Sequence, residues 1–184
     1  DLYTQTWSGN VRMIGLANKL GFSECRRKNG FRVVRGEIYD GLTFRLDVEA
    51  FALHCARMEL SEKLELHIPT VEDMWFARTL QEDPDTMSYN AGWDINFEGY
   101  HPDTGCIDLP PDQWQNKHDR LVGHEPECFY AFVKEKATNR FVCEVNFHYI
   151  REDNWWDMGV LVHAPYRGRG YGLKALELLL HHAF

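Results

Sequence analysis

Arg167-Gly168-Arg169-Gly170-Tyr171-Gly172 stands between two apolar runs, Met158 to Val162 and Leu173 to Phe184. That order reads as strand, glycine turn and helix. Glycines on alternate positions leave main-chain N–H groups uncovered, and the helix starting there points its positive dipole end at the turn. The chemistry suited to such a turn is the cradling of a pyrophosphate. Two common phosphate loops do not fit. The dinucleotide fingerprint requires G-x-G-x-x-G, and the triphosphatase loop requires Gly-Lys before Ser or Thr, whereas Leu173 and Lys174 follow Gly172.

A second set of reactive groups precedes the turn. Period-two alternation places Glu144, Asn146 and His148 on one face of a strand, and Asp157 lies on the next strand-like run. Glu144 and Asp157 are candidate proton acceptors. His163 is a further candidate beside the turn. The plain alternative is a sheet face wetted by solvent.

The elements that must position these groups can be read from pattern. Phe129 to Lys134, Phe141 to Tyr149 and Trp155 to Val162 are strand-like runs separated by polar turns, an antiparallel meander leading into the glycine turn. Upstream, Leu64 to Ile68 is a strand and Pro69-Thr70-Val71-Glu72-Asp73 starts a helix to about Gln81, with Thr70 as N-cap. Asp83 to Gly105 lacks periodicity and reads as loop, and Pro110-Pro111 opens a helix to about Leu121. At the start of the chain, Leu2 to Thr6 is a strand and Asn10 to Leu20 a helix stopped by Gly21.

The R-x-x-G-x-G pattern of Arg167, Gly170 and Gly172, with Val162, Pro165 and Tyr166 before it, resembles the GCN5-related N-acetyltransferase (GNAT) superfamily. Trp7-Ser8-Gly9-Asn10-Val11-Arg12-Met13-Ile14, Leu20-Gly21-Phe22 and Gly36-Glu37-Ile38-Tyr39-Asp40-Gly41 are similar to the C-terminal part of its ribosomal-protein N-terminal and small-amine branch. In that superfamily this material follows the glycine turn; here it precedes it. The resemblance implies an α/β (α+β) GNAT fold, a mixed, mostly antiparallel sheet flanked by helices, with its halves in permuted order. Residues 1–57 would be the C-terminal part and 58–184 the N-terminal part, together one domain. Val48 to Ala56 reads as its last helix or tail, and Met58 to Lys63 like a translation start. A circular permutation, a window across two tandem domains, and numbering out of biological order all remain open.

The resemblance also implies function. Acetyl-coenzyme A would be the acyl donor, its pantetheine arm on main-chain groups near Leu161, Val162 and His163 and its pyrophosphate on Arg167, Gly168, Arg169, Gly170, Tyr171 and Gly172. Asn10 matches an Asn that touches the pantetheine arm in relatives, although as a helix N-cap it needs no such role. A strand amide at a bulge near Leu161 or Val162 would serve the developing oxyanion, with Glu144 or Asp157 as base. The acceptor, a small-molecule amine or a peptide N-terminus, would meet Tyr89, Trp93, Asn146 and His148, the first two from a variable stretch, residues 83 to 125, whose aromatic residues otherwise read as a satellite core. Many relatives carry a tyrosine as general acid where this chain has Ala17. That departure keeps a non-catalytic acetyl-coenzyme A sensor in view.

Composition sets the outer bounds. The 184 residues, 44 % hydrophobic and 26 % charged, suit one globular domain. Five cysteines without a C-x-x-C pair, and histidines without ligand spacing, argue against a disulfide framework or a metal site. A net charge of -8 disfavours nucleic acid and favours a cationic partner. No apolar run reaches the roughly 20 residues of a membrane span, so no membrane association and a cytoplasmic location are expected. A homodimer, including one that exchanges strands, is compatible with the chain order.

Overall fold

The computed structural model describes residues 2–49, 51 and 63–183. Its strands are β1 (Leu2–Trp7), β2 (Phe22–Val34), β3 (Glu37–Leu46), β4 (Leu64–His67), β5 (Cys128–Glu135), β6 (Phe141–Ile150) and β7 (Trp155–Val162). They form one sheet in the order β2-β3-β1-β7-β6-β5-β4. Neighbours pair antiparallel except β1 and β7, which run parallel. The helices are α1 (Val11–Lys19), α2 (Met74–Glu82), α3 (Pro84–Met87), α4 (Trp114–Leu121) and α5 (Tyr171–Ala183). This is the mixed, mostly antiparallel sheet flanked by helices that the resemblance implies. The expected seam near Met58, most of the expected tail helix, Cys55 and both chain ends lie outside the described residues.

Strand alternation sorts the core onto two faces. Phe129, Ala131 and Val133 of β5, Val145 and Phe147 of β6, and Met158 of β7 pack with Ala17 and Leu20 around α1 and with Ala175, Leu176, Leu179 and Leu180 of α5. On the opposite face Tyr130 and Phe132 meet Met74, Phe76, Ala77 and Leu80 of α2. Each fully buried leucine contributes about 2 kcal/mol. Glu144, Asn146 and Leu161 share this second face, between the sheet and the segment after α2.

Local chemistry accounts for the departures from pattern. Residues 83 to 105 are not wholly loop: Asp83 caps α3 by accepting from the amides of Asp85 and Thr86, and Pro84 occupies the first turn, where its missing N–H costs nothing. Thr70 is not the cap of α2. The Asp73 carboxylate instead accepts from Thr70 N at 2.9 Å and pairs with His67 Nε2 at 2.8 Å, so the helix begins at Met74. Beyond Pro110 the chain makes a short 3-10 turn, Pro111–Gln113, and α4 starts only at Trp114.

Candidate functional site

β1 and β7 pair through Leu2 with Trp156 and Tyr3 with Asp157, with further ties from Thr4 Oγ1 to the Met158 carbonyl at 3.0 Å and from the Gln5 amide to the Asp157 carboxyl. Past that point they part. On its other side β7 pairs with β6 without interruption from Trp155 to Val162, so the expected bulge near Leu161 and Val162 is absent. The His163 amide donates to Val142 O at 3.0 Å. By alternation the amides of Leu161 and Gly159 also face β6, which leaves those of Val160 and Val162 facing the gap.

That gap leads into the glycine turn. Gly168 and Gly170 have φ of +76 and +84, a left-handed backbone that side chains disfavour, and a Cβ at either would meet no atom within 4 Å. The first bond into α5 runs from Lys174 N to Gly170 O at 3.2 Å. The amides of Tyr171, Gly172 and Leu173 therefore have no intrahelical acceptor. Gly172 marks a close approach, since a Cβ there would lie 3.3 Å from Val162 Cγ2 and 3.5 Å from Leu16 Cδ2. Open space before unpaired amides fits a pyrophosphate.

The two arginines of the turn differ. Arg169 is exposed beside a cavity of about 730 Å³ that it lines with Lys63, Lys136, Tyr171 and Lys174. Arg167 is turned inward, donating through Nε to Val162 O at 3.1 Å, Nη1 to Asp85 O at 2.8 Å and Nη2 to Thr86 O at 2.5 Å. Its amide is also committed, to Ala164 O at 3.1 Å. Tyr171 donates its hydroxyl to Glu135. Asn10 caps α1, its Oδ1 accepting from Met13 N at 3.2 Å. His163 lies 3.7 Å from Asp83 and is held below its ordinary pKa by burial, against the pull of that carboxylate.

The alternation expected on β6 is present. Glu144 and Asn146 are half-buried and His148 exposed, while Cys143, Val145 and Phe147 between them are buried. The buried Tyr130 donates its hydroxyl to Glu144, a contact from the adjacent strand that the sequence pattern did not single out. Burial, reinforced by the Glu144 charge, raises that hydroxyl well above its ordinary pKa. Asn146 lies over Gly159, where a Cβ would come within 3.2 Å of its amide. Asp157 sits where β1 and β7 part, with Oδ1 buried and unbonded among the described residues. Burial pushes its carboxyl up to about 6, against the pull of His148 and the amides of Met158 and Gln5.

Tyr89 lies close enough to this face to feel the Glu144 charge. Tyr89 leaves 40 % of its surface exposed, yet burial around its hydroxyl, with the nearby Glu144 charge, pushes it up to about 12. Lys117 of α4, also missed by pattern, is held down by burial while Glu144 pulls it up. Trp93 stacks on Arg32 at 4.1 Å. The rest of the aromatic segment is structural: Tyr100 donates to Asn90 O at 2.7 Å and stacks with Phe97, and His101 meets Asp108 at 2.8 Å. Ala17, where relatives carry an acid, is buried in the core. No cluster of His, Cys, Asp and Glu able to hold a metal occurs among the described residues, and no described helix is long and apolar enough to cross a membrane.

Comparison with known proteins bears on this arrangement. The family model described as acetyltransferase (GNAT) domain matches residues 63–184, from β4 through α5. No curated protein sequence matches the chain significantly. Solved structures similar to it include a GNAT-family acetyltransferase from Bacillus anthracis, at 18 % identity and TM-score 0.48, covering 67 % of this chain and 63 % of that one. A chimera of the Vibrio cholerae spermidine N-acetyltransferase SpeG with hSSAT matches at 11 % identity and TM-score 0.47, over 67 % of this chain and 64 % of the other. A GNAT-family acetyltransferase from Staphylococcus aureus matches at 12 % and 0.43, over 66 % and 78 %. The match thus spans less than two thirds of the length of the first two of these proteins. On the family match, with the free-edged strand, the glycine turn and the uncapped helix it covers, the chain belongs to the GNAT acetyltransferase family.

Proposed function

We propose that the protein transfers an acetyl group from acetyl-coenzyme A to a primary amine by direct attack in a ternary complex. The observation that carries this reading is the parting of β1 from β7 after Tyr3 and Asp157, which leaves one strand edge free to run into the glycine turn. A pantetheine arm carries amide donors and acceptors that can complete a strand edge, as any extended chain does. The amide of Val162 meets it, and those of Tyr171, Gly172 and Leu173 meet the pyrophosphate with help from the helix dipole and Arg169. Arg167 acts through its three carbonyl contacts, holding the turn against α3. Residues 2–49 and 63–183 work as one unit, since the cleft has β1 on one side and β7 on the other.

Acetyl-coenzyme A, when bound, supplies a thioester whose carbonyl carbon accepts the amine nitrogen as its C–S bond breaks. The protein's part is placement and proton handling. Glu144, oriented by Tyr130, accepts the proton the amine must lose, directly or through water. Asp157 is the second acceptor, its carboxyl poised near 6 at the mouth of the gap. The Val160 amide, farther from the glycine turn, donates to the carbonyl oxygen as charge develops there. Asn146, His148, Tyr89 and Trp93 shape the acceptor side. The products are an acetamide and a thiol, the amine proton leaving through the carboxylate to solvent and the thiolate taking one from water.

The test is thiol release from acetyl-coenzyme A with a panel of polyamines, aminoglycosides, amino acids and peptide N-termini. Acceptor-dependent release is expected. Coenzyme binding with no release from any acceptor would replace the enzyme with a binding module.

A further inference from the structure

Four cations gather at one place in a chain whose net charge is -8. Lys63 before β4, Lys136 after β5, Arg169 in the glycine turn and Lys174 in the first turn of α5 line the cavity of about 730 Å³. None of the four forms an ion pair with a described residue, whereas the nearby Lys134 is bound to Glu65 at 3.0 Å. Like charges collected around a concave surface raise its potential and repel one another until an anion joins them.

The wall that carries these cations is tied together. Tyr171 donates its hydroxyl to one carboxylate oxygen of Glu135, and Thr138 Oγ1 donates to the other at 2.8 Å. The Lys136 amide donates to Lys63 O at 3.0 Å and the Asn139 amide to Glu135 O at 2.8 Å. The turn after β5 is thereby fastened both to the start of β4 and to α5. Glu135, the acid in the cavity wall, is held by two hydroxyls and leaves the cations unanswered. Arg169 and Tyr171 belong to the glycine turn and to the cavity alike, so the cavity opens directly from the turn.

We propose that this cavity holds the adenosine end of coenzyme A, with Lys136 and Lys174 pairing with the phosphate monoester on its ribose. This deepens the acetyl-transfer reading and rests on its placement of the coenzyme. Beyond the pyrophosphate, coenzyme A carries an adenosine whose 3′-phosphate bears close to two negative charges at neutral pH. A volume of about 730 Å³ admits a group of that size. Arg169 stands between turn and cavity and serves both phosphate groups, while ammonium groups on flexible stems suit a monoester approached from several sides. The cluster therefore selects the donor, since a thioester without the 3′-phosphate forfeits these pairs.

The experiment is calorimetric titration of coenzyme A and of 3′-dephospho-coenzyme A into the wild type and the double variant Lys136→Gln, Lys174→Gln. Lys136 is exposed and Lys174 half-buried, and the Lys136 main-chain bond is kept, so an unchanged or raised Tm checks the fold. The wild type is expected to bind coenzyme A about ten- to thirtyfold more tightly than the dephospho form, with the advantage shrinking as salt is added. The double variant is expected to bind both equally, its affinity for the dephospho form staying within about twofold of the wild type. Equal binding of the two coenzymes by the wild type, or a preference that survives the double variant, overturns the proposal while leaving acetyl transfer intact. Inorganic phosphate that then binds in a Lys136- and Lys174-dependent way would make the cavity a separate anion site. If neither coenzyme binds the wild type, the coenzyme placement itself fails, and adenosine 3′,5′-bisphosphate decides on the cavity. Saturable binding that the double variant loses supports it; no binding refutes it.

Discussion

Arg167 and Thr86 are joined through main chain and side chain together. Arg167 Nη2 donates to the Thr86 carbonyl at 2.5 Å, and Thr86 Oγ1 accepts from the amide of Ala164, three residues before Arg167, at 2.9 Å. The strand-to-turn corner is thereby latched to α3. Arg167→Met should remove three carbonyl contacts and lower stability by about 2 kcal/mol, or roughly 4–8 °C in Tm for a chain of this size. Thermal unfolding and hydrogen exchange at Ala164 measure it. An unchanged Tm with weakened coenzyme binding would mean that the arginine serves phosphate rather than the latch.

Asp157 gives a stability prediction whose sign follows from proton binding. A carboxyl pushed up to about 6 binds its proton more tightly in the native state than in the unfolded chain, where 3.8 applies. Its protonated form is favoured by folding, so its contribution declines as pH rises from about 4 to 6 and stays low above. Asp157→Asn should therefore raise Tm at pH 7.5 relative to the wild type, by an amount worth at most about 3 kcal/mol, with the difference vanishing below about pH 4. A variant less stable than the wild type at pH 7.5 would show that the carboxylate is favourably paired.

Glu144 and Tyr130 should separate chemistry from packing. Glu144→Gln preserves shape and removes the proton acceptor, so kcat is expected to fall by about a hundredfold with little change in coenzyme affinity. Tyr130→Phe keeps the buried ring and loses only the orienting bond, with a cost nearer tenfold. If Glu144→Gln retains full kcat while Asp157→Asn abolishes it, the two carboxylates exchange roles.

What the sequence made legible followed from local rules. The alternation of Glu144, Asn146 and His148 against Cys143, Val145 and Phe147, the stop of α1 at Gly21, and the turn at Gly168 and Gly170 each depend on neighbours in sequence. The inward turn of Arg167 was hidden because its partners Asp85 and Thr86 lie about eighty residues away. The Tyr130 contact needed the register of β5 on β6, which pairs Tyr130 with Asn146 beside Glu144. The stacking of Arg32 on Trp93 was hidden by the irregularity in β2, which period-two reading does not see. The helix at Pro84 was written in the Asp83-Pro84 pair, a cap and first-turn signal obscured by the glycine- and aspartate-rich residues that follow.

The central claim, that the turn before α5 holds the pyrophosphate of acetyl-coenzyme A, is tested most directly by calorimetric titration of coenzyme A into the wild type and Gly170→Asp. A Cβ there meets no protein atom within 4 Å, but the site holds the aspartate in a strained left-handed backbone at φ +84, and its charge stands before the helix amides. The result expected is saturable binding to the wild type and at least about a hundredfold weaker binding to the variant, with circular dichroism unchanged and Tm lower by only about 2–4 °C from the backbone strain. Equal affinity in a folded Gly170→Asp protein would contradict it.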